Sequence, residues 1–319
     1  MTGDDTRGGW DVHCHLIPAT VVEAAHRGEF GLEVTDGALG GRAFRAPLGR
    51  IADPAALAAW VEANRLDGAI PAPPPPLFRP DLSGDERRRW VALVNEGMLQ
   101  AADGASLRPM AYVPAEDPAE AAATVTSLDP AFAGVTVGTD LAGRSYADPG
   151  YDRLWAALVE RRLPVFLHPG EPRDDRLDAF YLGNLLGNPY ETTVAVAQIV
   201  FGGVLDRFPD LVLVLAHGGG MVPSAIGRWE HAHSIGRPGV PRLERSPIEA
   251  LRMMYLDTIV HSPIALAALA ALVGADHVLF GSDWPFPMGV GASRPIPGAD
   301  PDLEKRILVD NPGAVFPAP

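Results

Sequence analysis

Eight short apolar or β-branched runs alternate with longer amphipathic stretches along the whole chain. This rhythm limits the fold more than any other feature. Strand side chains repeat every two residues and helix side chains every 3.6, so the alternation reads as βαβα units, whose outcome is a mostly parallel sheet covered by helices. The candidate strands lie at 10–13, 68–71, 107–113, 134–137, 164–168, 211–216, 254–257 and 277–282. Stretches such as "DPAALAAWVEANRL", "DPAEAAATVTSL" and "SPIALAALAALVGA" separate them. Several open with Asp or Ser followed by Pro, an N-cap residue before a proline at the first helical position. Eight such units predict an α/β fold, a (β/α)₈ TIM barrel, ahead of a doubly wound open sheet. The chain has 319 residues, which one barrel can use in full, so residues 1–319 are expected to form a single barrel domain.

Two segments break the rhythm. The Gly-rich stretch 28–50 follows the first strand as a small insertion, and the proline-rich loop 70–80 follows the second. In a barrel both would cover the C-terminal face, where active sites are built. A linker between domains is the alternative reading of the proline run.

Strand ends on that face carry the chemistry. The stretch "DVHCHLIP" places His13 and His15 on one side of the first strand, because alternate side chains share a face. "PVFLHPGEP" ends the fifth strand on His168, "LVLVLAHGGG" ends the sixth on His217, and "HVLFGSDWPFP" ends the eighth beside Asp283. Imidazole and carboxylate suit Zn²⁺, Mn²⁺ or Fe²⁺. Each motif alone has a plain alternative: a buried core histidine, a tight glycine turn, a helix cap. Joint placement at four strand ends of one barrel points to a metal centre. Cys14 lies between the two histidines, faces the other way, and reads as a buried structural thiol.

With these motifs in hand, the sequence resembles the amidohydrolase superfamily, and within it the metal-dependent decarboxylase branch. "DVHCHLIP", "FRAPLGRIADP", "VFLHP", "NPYETTVAVAQIVFGGVLDRFPDLVLVLAHGGG", "GRWEH", "LDTIVHSP" and "VLFGSDWPFPMG" carry the resemblance over nearly the whole chain. It implies that His13, His15, His168 and Asp283 hold one divalent ion, Zn²⁺ with Mn²⁺ as the alternative, and that a water completes its shell. His217 would be the acid/base residue beside that water, with Asp283 as its partner in catalysis. The resemblance also assigns substrate contacts to Arg45, to Phe286, and to Arg228, the last supplied across a homodimer interface. Arginine fits a carboxylate through its planar fork of donors. An ordinary surface ion pair is the alternative for either arginine.

The sequence departs from the branch where substrate would sit. "GEPRDD" follows Pro169, bringing Glu171 and Arg173 close to the metal end of the fifth strand, and Asn184 stands where the branch has an aromatic side chain. Arg173 and Asn184 are therefore candidate substrate contacts. The expected reaction is nonoxidative decarboxylation of a small unsaturated or aromatic carboxylic acid. The alternative is a hydrolase or hydratase directing metal hydroxide at a carbonyl or activated double bond.

Composition bounds the partners. The formal net charge is −14, and no basic tract offsets it, so a nucleic-acid partner is not expected. No apolar run approaches the ~18 residues of a membrane helix, and the start "MTGDDTRGG" is unlike a signal peptide. The single cysteine rules out an intrachain disulfide, and a cytoplasmic location is expected.

Overall fold

Each run read as a barrel strand is a strand in the computed structural model, which describes residues 8–316 other than 42, 43, 103, 105 and 171–173. Strand β1 (Trp10–His15) is followed by three short antiparallel strands, β2 (Glu33–Thr35), β3 (Ala38–Gly40) and β4 (Arg45–Pro47). The remaining strands are parallel: β5 (Gly68–Ala72), β6 (Met110–Tyr112), β7 (Gly134–Gly138), β8 (Val165–His168), β9 (Leu213–Leu215), β10 (Tyr255–Asp257) and β11 (Val278–Leu279). Several are shorter than the apolar runs that encode them. Pro109 and Pro114 bracket β6, and a residue without an N–H cannot extend a ladder on its donor side.

The parallel strands pair as one ladder from β6 to β11 and a second of β1 with β5. The two ladders meet at both seams. Ala69 bridges Leu107 on one side, and Cys14 bridges Trp284 on the other. Val12 N donates to Phe280 O at 2.9 Å and Asp283 N to His13 O at 2.7 Å. The eight strands therefore follow one another around a ring in chain order, as expected for a (β/α)₈ fold.

Helix starts follow the Asp-Pro and Ser-Pro pattern. Asp53 accepts from Ala55 N, Asp117 from Ala119 N and Glu120 N, and Ser262 from Ala265 N. Ser246 and Glu249 form a reciprocal capping box. Each cap is worth about 1 kcal/mol.

The core has two parts. An inner cluster of Val12, Ile70, Met110, Phe166, Val214 and Leu279 fills the ring, joined by Val315 and Phe316. A larger outer layer joins strands to helices, where Trp90, Val94 and Met98 recur at helical spacing along Gly84–Ala101 and are fully buried. Cys14 belongs to this outer layer and is buried, on the side away from the histidines. With the inside of the ring packed, ligand space lies at the strands' C-terminal ends.

Above that face, β2, β3 and β4 form the antiparallel sheet, in which Val34 pairs with Leu39 and Leu39 with Ala46. Among the described residues no helix is long and apolar enough to cross a membrane.

Candidate metal centre and active site

A register irregularity in β1 sets the aim of the first two histidines. Asp11 pairs with Ala69 and Cys14 with Pro71, so β1 carries one extra residue between those pairs. Strict alternation would put Val12 and His13 on opposite faces; the extra residue lets both face the interior. Val12 packs in the inner cluster, and the His13 ring lies 4.8 Å from Phe166 of that same cluster. Regular alternation resumes beyond His13, bringing His15 to the same side. His13 Nε2 and His15 Nε2 are 3.2 Å apart.

The other groups converge on this pair. Asp283 Oδ1 lies 3.4 Å from His13 Nε2 and 3.3 Å from His15 Nε2, and Asp283 Oδ2 lies 3.9 Å from His217 Nε2. One donor atom from each of His13, His168, His217 and Asp283 lies within 4.8 Å of the others. Two donors each ~2.1 Å from one ion and about 100° apart would be about 3.2 Å from one another, the spacing seen here.

Orphaned lone pairs supply a further test of fit. His168 Nδ1 lies 2.9 Å from Pro169 O, a bond that makes Nδ1 the protonated nitrogen and leaves Nε2 as a bare acceptor. That Nε2 is buried and finds no hydrogen-bond partner. An unsatisfied buried polar atom costs about 1–3 kcal/mol, which coordination of a cation would relieve.

Electrostatics agree. Burial holds the His15 imidazole below its usual range and His168 well below it, so both favour the neutral, ligating form. Burial also opposes charge on Asp283, but His13, His15 and His217 outweigh it and hold that carboxyl well below its ordinary value. For His13, burial is overcome by Asp257 and Asp283, which push the imidazole up to about 10. With Asp257 at one ring nitrogen of His13 and Asp283 near the other, the site favours positive charge.

Asp257, at the end of β10, does work that sequence reasoning missed. Its Oδ2 accepts from His13 Nδ1 at 2.5 Å and from His217 N at 2.9 Å, while Oδ1 accepts from Gly218 N at 2.7 Å and Ile259 N at 3.0 Å. One carboxylate thus fixes the His13 tautomer and pins the turn that carries His217. That turn is strained: His217 has φ 55°, as does Asp283. The next residue, Gly218, has φ 60°, and a Cβ there would sit 2.3 Å from Val260 Cγ1, so glycine is required. The signal was available, since "YLD" ends its apolar run on a polar group as the other site strands do.

Asp11 is the second residue missed. Fully buried, it accepts from Ser282 Oγ at 2.5 Å, Ser282 N at 3.0 Å and Trp60 Nε1 at 3.2 Å. It ties β1 to the turn bearing Asp283. Burial pushes its carboxyl up to about 6 despite the Ser282 bonds.

The cavity above the cluster has two lobes, of about 530 and 590 Å³, and His217 and Asp283 line both. The first is also lined by Arg45, His168, Phe286 and Asn184, and Asn184 reaches the second as well. Pro75 and Pro76 of the proline-rich loop and Ala46 of the antiparallel sheet also line the first lobe. Phe286 stands edge-on to His15, with ring centroids 5.2 Å apart. Arg45, 52% exposed, donates to Thr35 Oγ1 and O. Arg228, on helix Val222–Ser234, is exposed and lines neither lobe of its own chain. Arg173 and its neighbour Glu171 lie outside the described residues.

The family model described as amidohydrolase matches residues 10–318. Over 165 residues the chain is 34% identical to a 2-amino-3-carboxymuconate-6-semialdehyde decarboxylase of Dictyostelium discoideum, a match covering 51% of this chain and 46% of that one. The alignment thus spans about half the length of that relative. Among solved structures, 5-carboxyvanillate decarboxylase LigW from Sphingomonas paucimobilis superposes with a TM-score of 0.82 at 23% identity, covering 98% of this chain and 99% of that one. The 5-carboxyvanillate decarboxylase of Novosphingobium aromaticivorans, complexed with manganese and 4-hydroxy-3-methoxy-5-nitrobenzoic acid, gives 0.82 at 19% identity, covering 100% and 98%.

Proposed function

This chain belongs to the amidohydrolase family, and from that premise we propose that it is a metal-dependent nonoxidative decarboxylase of a small unsaturated or aromatic carboxylic acid. The observation that carries the reading is the convergence of four imidazoles and Asp283 beneath a cavity that only some of them face. His13 and His15 are fully buried and line neither lobe, His168 lines only the first, and His217 and Asp283 line both. Buried donors suit ligation; a histidine between ligands and cavity suits proton transfer.

In this reading His13, His15, His168 and Asp283 hold one divalent ion. Bound there, the ion would act as a Lewis acid and orient an oxygen of the substrate. Zn²⁺ matches the imidazole-rich donor set, and Mn²⁺ is the alternative, being bound in the Novosphingobium aromaticivorans protein. His217 delivers a proton through Nε2 to the carbon bearing the carboxylate. The bond from that carbon to the carboxylate then breaks, its electron pair stays with the carbon skeleton, and CO₂ leaves. Arg45 offers its guanidinium fork to a substrate carboxylate, Phe286 packs against the unsaturated part, and Asn184 and Arg173 contact polar substituents. Residues 1–319 act as one barrel domain, in a cytoplasmic homodimer to which Arg228 contributes across the interface. The exposure of Arg228, and its absence from the walls of both lobes of its own chain, support that last assignment.

The test is a screen of unsaturated and aromatic acids with protein of known Zn²⁺ or Mn²⁺ content, following CO₂ and the organic product together. Equimolar CO₂ and decarboxylated product are expected. A product that has gained water without loss of CO₂ would instead assign the hydrolase or hydratase chemistry.

A further inference from the structure

The two lobes of the cavity share Asn184, Asn188, His217, Asp283 and Met288, yet they differ in chemistry. Fixed charge lines the first through Arg45, Asp174 and Asp178. The second runs from His217 between Leu185, Val260 and Pro223 to helix Pro263–Val273, and among the described residues Asp283 is the only Asp, Glu, Lys or Arg that lines it. Among its walls Ser224 and His261 are the polar side chains not shared with the first lobe. The helix that closes it, "PIALAALAALV", has no polar side chain on any face. Ala265 and Ala268, three residues apart and hence on one side of that helix, present only methyl groups to the lobe and leave it open.

Size points the same way. Sites of about 300–1,000 Å³ hold drug-sized molecules, so either lobe alone has room for a one-ring acid. A compact acid reacting at His217 would leave the second lobe to water against apolar walls.

Resting on the decarboxylase reading above, we propose that the second lobe is a substrate subsite for an apolar arm. The acid carries an alkyl or aryl substituent of several carbons, which lies along Val260, Ala265, Ala268 and Leu269. Its carboxylate and polar groups occupy the junction and the charged lobe. The apolar arm begins at the reacting centre because the lobe itself begins at His217 and Asp283.

The test uses metal-loaded protein and a series of 2-hydroxybenzoic acids whose ring carries hydrogen, methyl, butyl or heptyl beside the carboxylate. Affinity is read by calorimetry and turnover by CO₂ release. Each methylene taken out of water is worth about a fourfold change, so butyl is expected to bind at least tenfold more tightly than methyl. Ala268→Trp is expected to bring the butyl-to-methyl affinity ratio close to one, and Ala265→Leu to lower it, which covers the case in which the larger substitution does not fold. Affinity that is flat or falls with chain length, or a ratio unmoved in both folded variants, would overturn the subsite. Affinity that rises with chain length without CO₂ from any acid would sustain the subsite and defeat the decarboxylase reading. CO₂ release with flat affinity would do the reverse.

Discussion

Replacing Asp257 with asparagine changes one oxygen to an NH₂ group and should dismantle the metal centre from behind. The carboxylate accepts four hydrogen bonds, from His13 Nδ1, His217 N, Gly218 N and Ile259 N. An asparagine keeps one acceptor oxygen. If that oxygen stays on Gly218 and Ile259, the new NH₂ faces the His217 amide and forces His13 Nδ1 to accept, which moves the ring proton to Nε2, toward the ion. In the flipped rotamer, NH₂ meets two backbone N–H groups. Neither is satisfactory. Losing a partner behind a metal-bound histidine typically costs about 10- to 100-fold in metal affinity. Hydrogen bonds to a charged acceptor are worth about 1.5–3 kcal/mol each, so the ion-free fold should lose roughly 3 kcal/mol as well. Competition with a calibrated chelator gives the first number, and urea unfolding of ion-free protein gives the second. A folded Asp257→Asn protein with wild-type metal affinity and stability would refute the claim that this carboxylate sets the His13 tautomer and the His217 turn.

Further outcomes are expected elsewhere in the molecule. His217→Ala should keep its metal within about threefold in affinity but lose at least ~100-fold in turnover, while Asp283→Ala should lose metal; equal metal loss in both would make His217 a ligand. Glu116 is buried, and its Oε1 lacks a hydrogen bond because the nearby Arg87 Nε, at 3.2 Å, donates to Leu82 O instead. Burial pushes its carboxyl up to about 7 from 4.5, so its contribution to stability is full below about pH 4.5 and is lost as pH rises through about 7. Glu116→Gln should therefore gain roughly 2 kcal/mol on wild type between about pH 5 and pH 8 in urea unfolding, and an unchanged difference would contradict the assignment. Mixing Arg228→Ala with His217→Ala protomers should restore about a quarter of wild-type turnover if two-fold symmetric sites share the arginine, and none if they do not.

Much of this architecture is legible in the sequence because it rests on local periodicity. The eight strand runs and the Asp-Pro caps each declare themselves within a few residues. His13, His15, His168, His217 and Asp283 could be assembled because a barrel brings strand ends together whatever their separation in the chain. What stayed hidden depends on contacts between distant segments. The extra residue in β1 is defined only by the pairing of Asp11 with Ala69 and of Cys14 with Pro71. An aspartate ending a strand looks the same in sequence whether it faces the imidazole cluster, as Asp283 does, or also gathers backbone amides, as Asp257 does. The antiparallel sheet β2–β3–β4 is visible only as glycine-rich alternation, because its three-residue strands are too short to show a pattern. The second lobe is bounded by 184–189 and by helix Pro263–Val273, a juxtaposition that no local signal records.

The most direct measurement is an anomalous difference map from crystals of protein loaded with Zn²⁺ or Mn²⁺. The account requires one strong peak, within about 2.3 Å of His13 Nε2, His15 Nε2, His168 Nε2 and a carboxylate oxygen of Asp283. A peak elsewhere, or none at full metal loading, would contradict it.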